Sequence, residues 1–213
     1  MPKTLPTPAA PPQQVTRGVL AIKPFRKLWN SMVFSSLGDW LGLLATTALA
    51  QQLSGGDYAK ANFAIAGVFI ARLLPAVFLG PIAGVIADKL DRRKLMVNCD
   101  ILRTALYISI PIFHNYFWLY TAMILVECIT LFWSPAKEAS VPNLVPREKL
   151  ESANQVSLLA AYGTAPVAAL IFTFLSLFTS AFNAAFSFNV TAVDLALYAN
   201  ALSFAFAAFT IWG

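Results

Sequence analysis

The chain has 213 residues, 58% of them hydrophobic and only 12% charged, with a formal net charge of +5. Soluble domains run near 45–50% apolar and about 25% charged. The composition therefore excludes a soluble globular domain, a disordered chain, a collagen-like chain and, despite the basic balance, an ordinary nucleic-acid-binding domain. Two cysteines, Cys99 and Cys128, both inside apolar runs, exclude a disulfide scaffold.

In chain order, residues 1–24 come first, with six prolines (Pro2, Pro6, Pro8, Pro11, Pro12 and Pro24) and few large apolar side chains. They predict a disordered tail. From 25 to 213 the chain offers six stretches long and apolar enough to cross a bilayer, at 28–50, 61–87, 95–113, 117–136, 153–179 and 193–212. Each is continuous rather than alternating, which excludes a β-barrel and predicts an all-α, polytopic membrane protein. The first stretch is too long, and begins too far from the N-terminus, to be a cleaved signal peptide.

Lys and Arg orient the spans. Lys3, Arg17, Lys23, Arg26 and Lys27 precede span 1, Lys89, Arg92, Arg93 and Lys94 join spans 2 and 3, and Lys137, Arg147 and Lys149 join spans 4 and 5. The opposite side has Lys60 alone. The positive-inside rule puts the N-terminus, these loops and, after six spans, the C-terminus in the cytoplasm of an inner or plasma membrane. The net charge then reflects topology and implies no nucleic-acid partner. The turn from His114 to Trp118 suits the outer headgroup zone, where aromatic rings collect.

Four charged residues lie well inside spans: Asp39, Arg72, Arg103 and Glu127. At about 1.5 Å per residue from the cytoplasmic helix ends, Asp39 sits about 16 Å deep, Arg103 about 12 Å, Glu127 about 13 Å and Arg72 about 24 Å. A charge in hydrocarbon costs at least about 2.5–3.5 kcal/mol, so each requires a partner or a pathway. Two acids and two bases cancel, which fits a structural ion-pair set locking spans 1 to 4. It fits equally a substrate- or proton-coupling site. For coupling, Asp39 stands first, because Ser35, Ser36 and Gly38 leave room around it; Glu127 is second, and Arg72 would pair or meet an anionic ligand group. No zinc spacing, nucleophile set, phosphate loop or nucleotide motif is present, so neither metal, cofactor nor enzymatic activity is expected.

Between spans 2 and 3 runs GVIADKLDRRK, residues 84–94. It resembles the loop signature of the major facilitator superfamily, G-x-x-x-D-[RK]-x-G-x-[RK]-[RK], with Gly84, Asp88, Lys89, Arg93 and Lys94 in register and Asp91 at the usual glycine. Ser36–Trp40, Arg72–Pro75, Asp100–Arg103 and residues 134–154 also resemble the branch containing the enterobactin exporter and macrolide-efflux-like permeases. Of the antiporter signature of span 5, only Gly163 and Pro166 remain, and the span 4 arginine of drug/proton antiporters is absent.

The resemblance implies two inverted three-span repeats forming the N-terminal half of a secondary efflux transporter, driven by a proton or ion gradient. Gly84, Asp88, Lys89, Asp91, Arg92, Arg93 and Lys94 become a conformational latch. Gly84 is expected to let spans approach closely, and the loop cations to bridge to acids and helix C-termini, with Asp100 a partner for them. Arg103 becomes structural, tied to Asp100. Pro75 and Pro166 become helix bends. The partners implied are the lipid bilayer, a small-molecule substrate and a second six-span half, supplied by a missing C-terminal part, a separate chain or a homodimer. A non-transporting six-span subunit or regulator built on the same fold is the alternative.

Overall fold

A computed structural model describes residues 18–186 and 191–212, and these are helical almost throughout, with no strand among them. The helices are α1 (Lys23–Leu53), α2 (Tyr58–Ala87), α3 (Arg92–Phe113), α4 (Tyr116–Leu144), α5 (Leu150–Gly163), α6 (Ala165–Phe186) and α7 (Ala192–Trp212). They supply six elements of membrane length, the fifth being formed by α5 and α6 in succession. The architecture is the all-α, polytopic one expected from the six apolar stretches.

Local chemistry sets the helix ends. Pro24 stands in the first turn of α1, where a missing N–H costs nothing. Asp57, Asp91 and Asn115 cap α2, α3 and α4 by accepting the backbone N–H three residues on, at 3.1, 3.0 and 2.8 Å. His114 closes α3 in a left-handed conformation (φ 44°), so that α3 and α4 are joined by a two-residue turn.

Three boundaries differ from the sequence reading. Val19 is fully buried, against an expected tail extending to residue 24, because it joins Phe25, Leu28 and Val145 in an apolar cluster at the basic end of the bundle. The rest of the expected tail, residues 1–17, lies outside the described residues, as does Gly213. Span 5 is not one helix. It breaks at Thr164, where Pro166 has no N–H for the carbonyl of Tyr162 and its ring crowds that carbonyl, so α6 restarts with the proline in its first turn. Conversely, α4 runs through Pro135 and Pro142 to Leu144, and α2 continues through Pro75 and Pro81.

Packing follows small residues. α1 lies chiefly against α7, α2 against α4, and α3 against both α7 and α4. Along α1 the buried stripe is Ser31, Ser35, Gly38, Leu41, Gly42, Ala45 and Leu49. A Cβ on Gly42 would stand 2.5 Å from Asn200 Nδ2 and 2.6 Å from the Tyr107 hydroxyl, so only hydrogen fits there. This is the small-xxx-small seam by which membrane helices approach closely. By contrast, nothing among the described residues stands within 4 Å of a Cβ on Gly84 or Gly80. The close approach expected at Gly84 is not made among the described residues, since that side of α2 faces outward. There Leu73, Val77, Phe78 and Val85 are exposed, as are Leu159, Leu170, Phe174 and Leu177 on α5 and α6.

Candidate coupling site and basic loop

Asp39 on α1, Arg72 on α2, Asp100 and Arg103 on α3, and Glu127 on α4 form the charged centre of the bundle. Arg103 is fully buried, and its Nη2 donates to Asp100 Oδ1 at 2.5 Å. Three residues apart on one helix, the two side chains share a face. Asp100, also fully buried, accepts a second bond from Trp133 Nε1 at 3.3 Å. The guanidinium lies between the Phe204 and Trp133 rings, 4.4 and 5.0 Å from their centroids. Such desolvated cation–π contacts add to the pairing.

The other nitrogen of Arg103, Nη1, faces Asp39 Oδ1 at 3.7 Å. That is an ion contact rather than a hydrogen bond. The Asp39 side chain keeps 33% of its surface exposed, whereas that of Arg103 keeps none. On α1, Gly38 and Gly42 turn inward to α7, which leaves Asp39 on the flank of the helix. Its neighbour Trp40 donates to the Ala161 carbonyl at 2.8 Å, and Trp29 donates to that of Val156 at 3.0 Å. Both indoles tie α1 to α5.

Arg72 Nε pairs with Glu127 Oε1 at 3.0 Å, joining α2 to α4, with 17% and 18% of the two side chains exposed. Tyr120 reinforces the same seam by donating to the Ala64 carbonyl at 3.2 Å, beside Gly67.

The four intramembrane charges named from sequence thus fall into two pairs, Arg72–Glu127 and Arg103–Asp39, with Asp100 as a fifth member. The apparent cancellation is corrected by that residue. Three carboxylates face two guanidiniums. Of the two partners expected for Asp100, Arg103, one turn away on its own helix, occupies it, and no loop cation lies within 4.0 Å of it among the described residues.

Two cations that follow the α2–α3 loop reach backbone carbonyls of other helices. Arg92 Nη1 donates to the Ala139 carbonyl of α4 at 2.7 Å, and Arg93 Nε to that of Ile211 at 3.0 Å, with its Nη2 on the Trp212 carbonyl. At the C-terminus of α7, Arg93 meets carbonyls that have no partner within the helix and complements its dipole, whereas the Ala139 carbonyl also accepts from Asn143 Nδ2 at 3.2 Å. Asp91, at the usual glycine of the motif, is the α3 N-cap, a role legible from its place just before the helix. Asp88, Lys89 and Lys94 are exposed.

Six membrane-length elements, with ion pairs joining α1 to α3 and α2 to α4, define a multi-pass membrane protein. Residues 16–208 match the transmembrane secretion effector family, and the chain belongs to that family of the major facilitator superfamily. It is 31% identical over 136 residues to an uncharacterized MFS-type transporter of Bacillus subtilis, covering 63% of this chain and 31% of that one. It is 30% identical over 154 residues to another uncharacterized MFS-type transporter, from Mycobacterium tuberculosis, covering 70% of this chain and 34% of that one. Macrolide efflux protein A of Enterococcus faecalis is 32% identical over 87 residues, which is 36% of this chain and 25% of that protein. The chain spans about a third of the length of the first two relatives. No solved structure gives a significant match.

Proposed function

We propose that the chain is a six-span half of a secondary active transporter that expels a small molecule, driven by a proton or ion gradient, with Asp39 as the coupling carboxylate. One observation carries this reading. Arg103 is held by Asp100 at 2.5 Å and Arg72 by Glu127 at 3.0 Å, so Asp39, 3.7 Å from an already paired guanidinium, is the surplus acid. A surplus carboxylate in a membrane core takes up a proton or meets a cation, and a partly exposed one can exchange it. Glu127 is the second acid on the pathway, and Arg72 positions it.

The orientation follows the lysine and arginine bias, with the N-terminus and the α2–α3 and α4–α5 connections in the cytoplasm. The exposed apolar faces of α2, α5 and α6, with open Gly80 and Gly84, would be covered by a second six-span unit, and the substrate path would run between the two units near the midplane. That unit is supplied by the same polypeptide, a separate chain or a second copy. Around the loop, Asp91 caps α3, while Arg92 and Arg93 tie α3 to α4 and to the end of α7. Asp88, Lys89 and Lys94 are left to engage the second unit as the latch.

The test is flux into proteoliposomes containing the transporter with both halves, using a radiolabelled macrolide as probe because one relative is a macrolide efflux protein. In Asp39→Asn, gradient-driven flux should fall to the leak while probe exchange without a gradient persists. Normal gradient-driven flux in that variant would remove Asp39 from coupling. Recovery of flux on adding Arg103→Gln would assign Asp39 to structure.

A further inference from the structure

We propose that the basic end of the bundle holds the phosphate headgroup of an anionic phospholipid in a cavity between α1, α3, α4 and the end of α7. The cavity measures about 860 Å³. Its position is that of the water–lipid boundary. Lys23 opens α1, Arg92 opens α3, Leu144 ends α4, and Ile211 lies one residue from the end of α7.

The walls carry two kinds of surface. Leu28, Met96, Leu144 and Ile211 contribute an apolar floor, and Lys23, Lys27, Arg92 and Arg93 contribute four positive charges. Against them stand Asp88 and Asp91, and the Asp91 carboxylate already accepts the Lys94 N–H as the cap of α3. Arg92 and Arg93 bond to backbone carbonyls, which leaves their charge uncancelled. Lys23 and Lys27, four residues apart on one face of α1, have no carboxylate within 4.0 Å among the described residues.

An apolar floor under a cationic rim at headgroup depth matches a glycerophosphate with its first acyl carbons. Basic pockets between spans on the cytoplasmic side are where anionic headgroups bind. The tail of this chain does not fit as occupant: residues 1–17 carry Lys3 and Arg17 and no carboxylate. The proposal depends on membrane embedding but not on transport, so it stands or falls separately from the coupling role of Asp39.

The experiment is native mass spectrometry of the purified chain in detergent, titrated with phosphatidylglycerol or phosphatidylcholine. Phosphatidylglycerol should be retained and phosphatidylcholine should not. Lys23→Gln/Lys27→Gln should weaken retention about thirty-fold, at about a factor of five for each cation near a membrane surface. Lys23→Arg/Lys27→Arg should preserve it. Arg26→Gln/Arg147→Gln removes the same charge from the same end but outside the cavity, and should leave retention unchanged. Neither lysine has a partner to strand, so the variants should keep the parent's thermal stability. Equal retention of the two lipids, or equal loss in the Arg26/Arg147 control, would overturn the site in favour of diffuse surface charge. Displacement of phosphatidylglycerol by millimolar inorganic phosphate would overturn the lipid in favour of a free anion.

Discussion

Removing either member of the Arg103–Asp100 pair should destabilise the bundle, but unequally, and the inequality follows from Asp39. In Arg103→Gln the Asp100 carboxylate stays fully buried, with the Trp133 indole at 3.3 Å as its remaining side-chain donor. Breaking a buried pair in this way costs roughly 3–5 kcal/mol on the soluble-protein scale. Two cation–π contacts, at 4.4 and 5.0 Å, are lost as well. In Asp100→Asn the stranded guanidinium still has Asp39 at 3.7 Å, close enough to take over. The loss is then one charge-assisted hydrogen bond, about 1.5–3 kcal/mol. For a chain of this size, 1 kcal/mol moves the midpoint by about 2–4 °C, so Arg103→Gln should lower it by roughly 6–20 °C and Asp100→Asn by roughly 3–12 °C. The double variant should recover most of the Arg103→Gln deficit. The assay is the fraction of monodisperse chain remaining in detergent after a temperature series. An equal loss in the two single variants, or a double variant no better than Arg103→Gln, would refute the idea that Asp39 stands in reserve.

Two more outcomes follow from the packing and the charge bias. Gly42→Ala puts a methyl against Asn200 and Tyr107, both fully buried, and should cost about 1–3 kcal/mol. Gly80→Ala meets nothing within 4 Å among the described residues and should be neutral or stabilising by up to about 1 kcal/mol, both measured on the same thermal series. For topology, single cysteines in a background lacking Cys99 and Cys128 should react with an impermeant thiol reagent in whole cells at Gly56 and Asn115, and only after lysis at Ser140; external reaction at Ser140 would reverse the orientation.

Much of this architecture is legible in the sequence because a bilayer demands long apolar runs, and six stand out. The loop at 84–94 and the intramembrane charges are equally visible, since both are conspicuous against an apolar background. Partner choice is not. Helices apolar around most of their circumference give no periodic signal for which neighbour each face meets. The Asp100–Arg103 tie is legible from the resemblance, but the Trp133 and Phe204 rings around it and the approach of Asp39 to the same guanidinium emerge only from the fold. Gly38 and Gly42 show the spacing of a close approach, yet nothing local points to Asn200 and Tyr107 as the surfaces approached. The break at Thr164 was foreshadowed by Pro166. Pro75, Pro135 and Pro142 look much the same in sequence and interrupt nothing, because each lies within a helix that continues around it.

The central claim is that Asp39 is the one carboxyl of the charged centre available to a proton. An apolar carbodiimide adds to protonated carboxyls within the membrane and spares those engaged in ion pairs. Treatment of the membrane-embedded chain, followed by peptide mass spectrometry, reads all three acids at once. The account predicts adduct on Asp39, with Asp100 and Glu127 unmodified while Arg103 and Arg72 hold them. Adduct on Asp100 or Glu127 with Asp39 bare would contradict it.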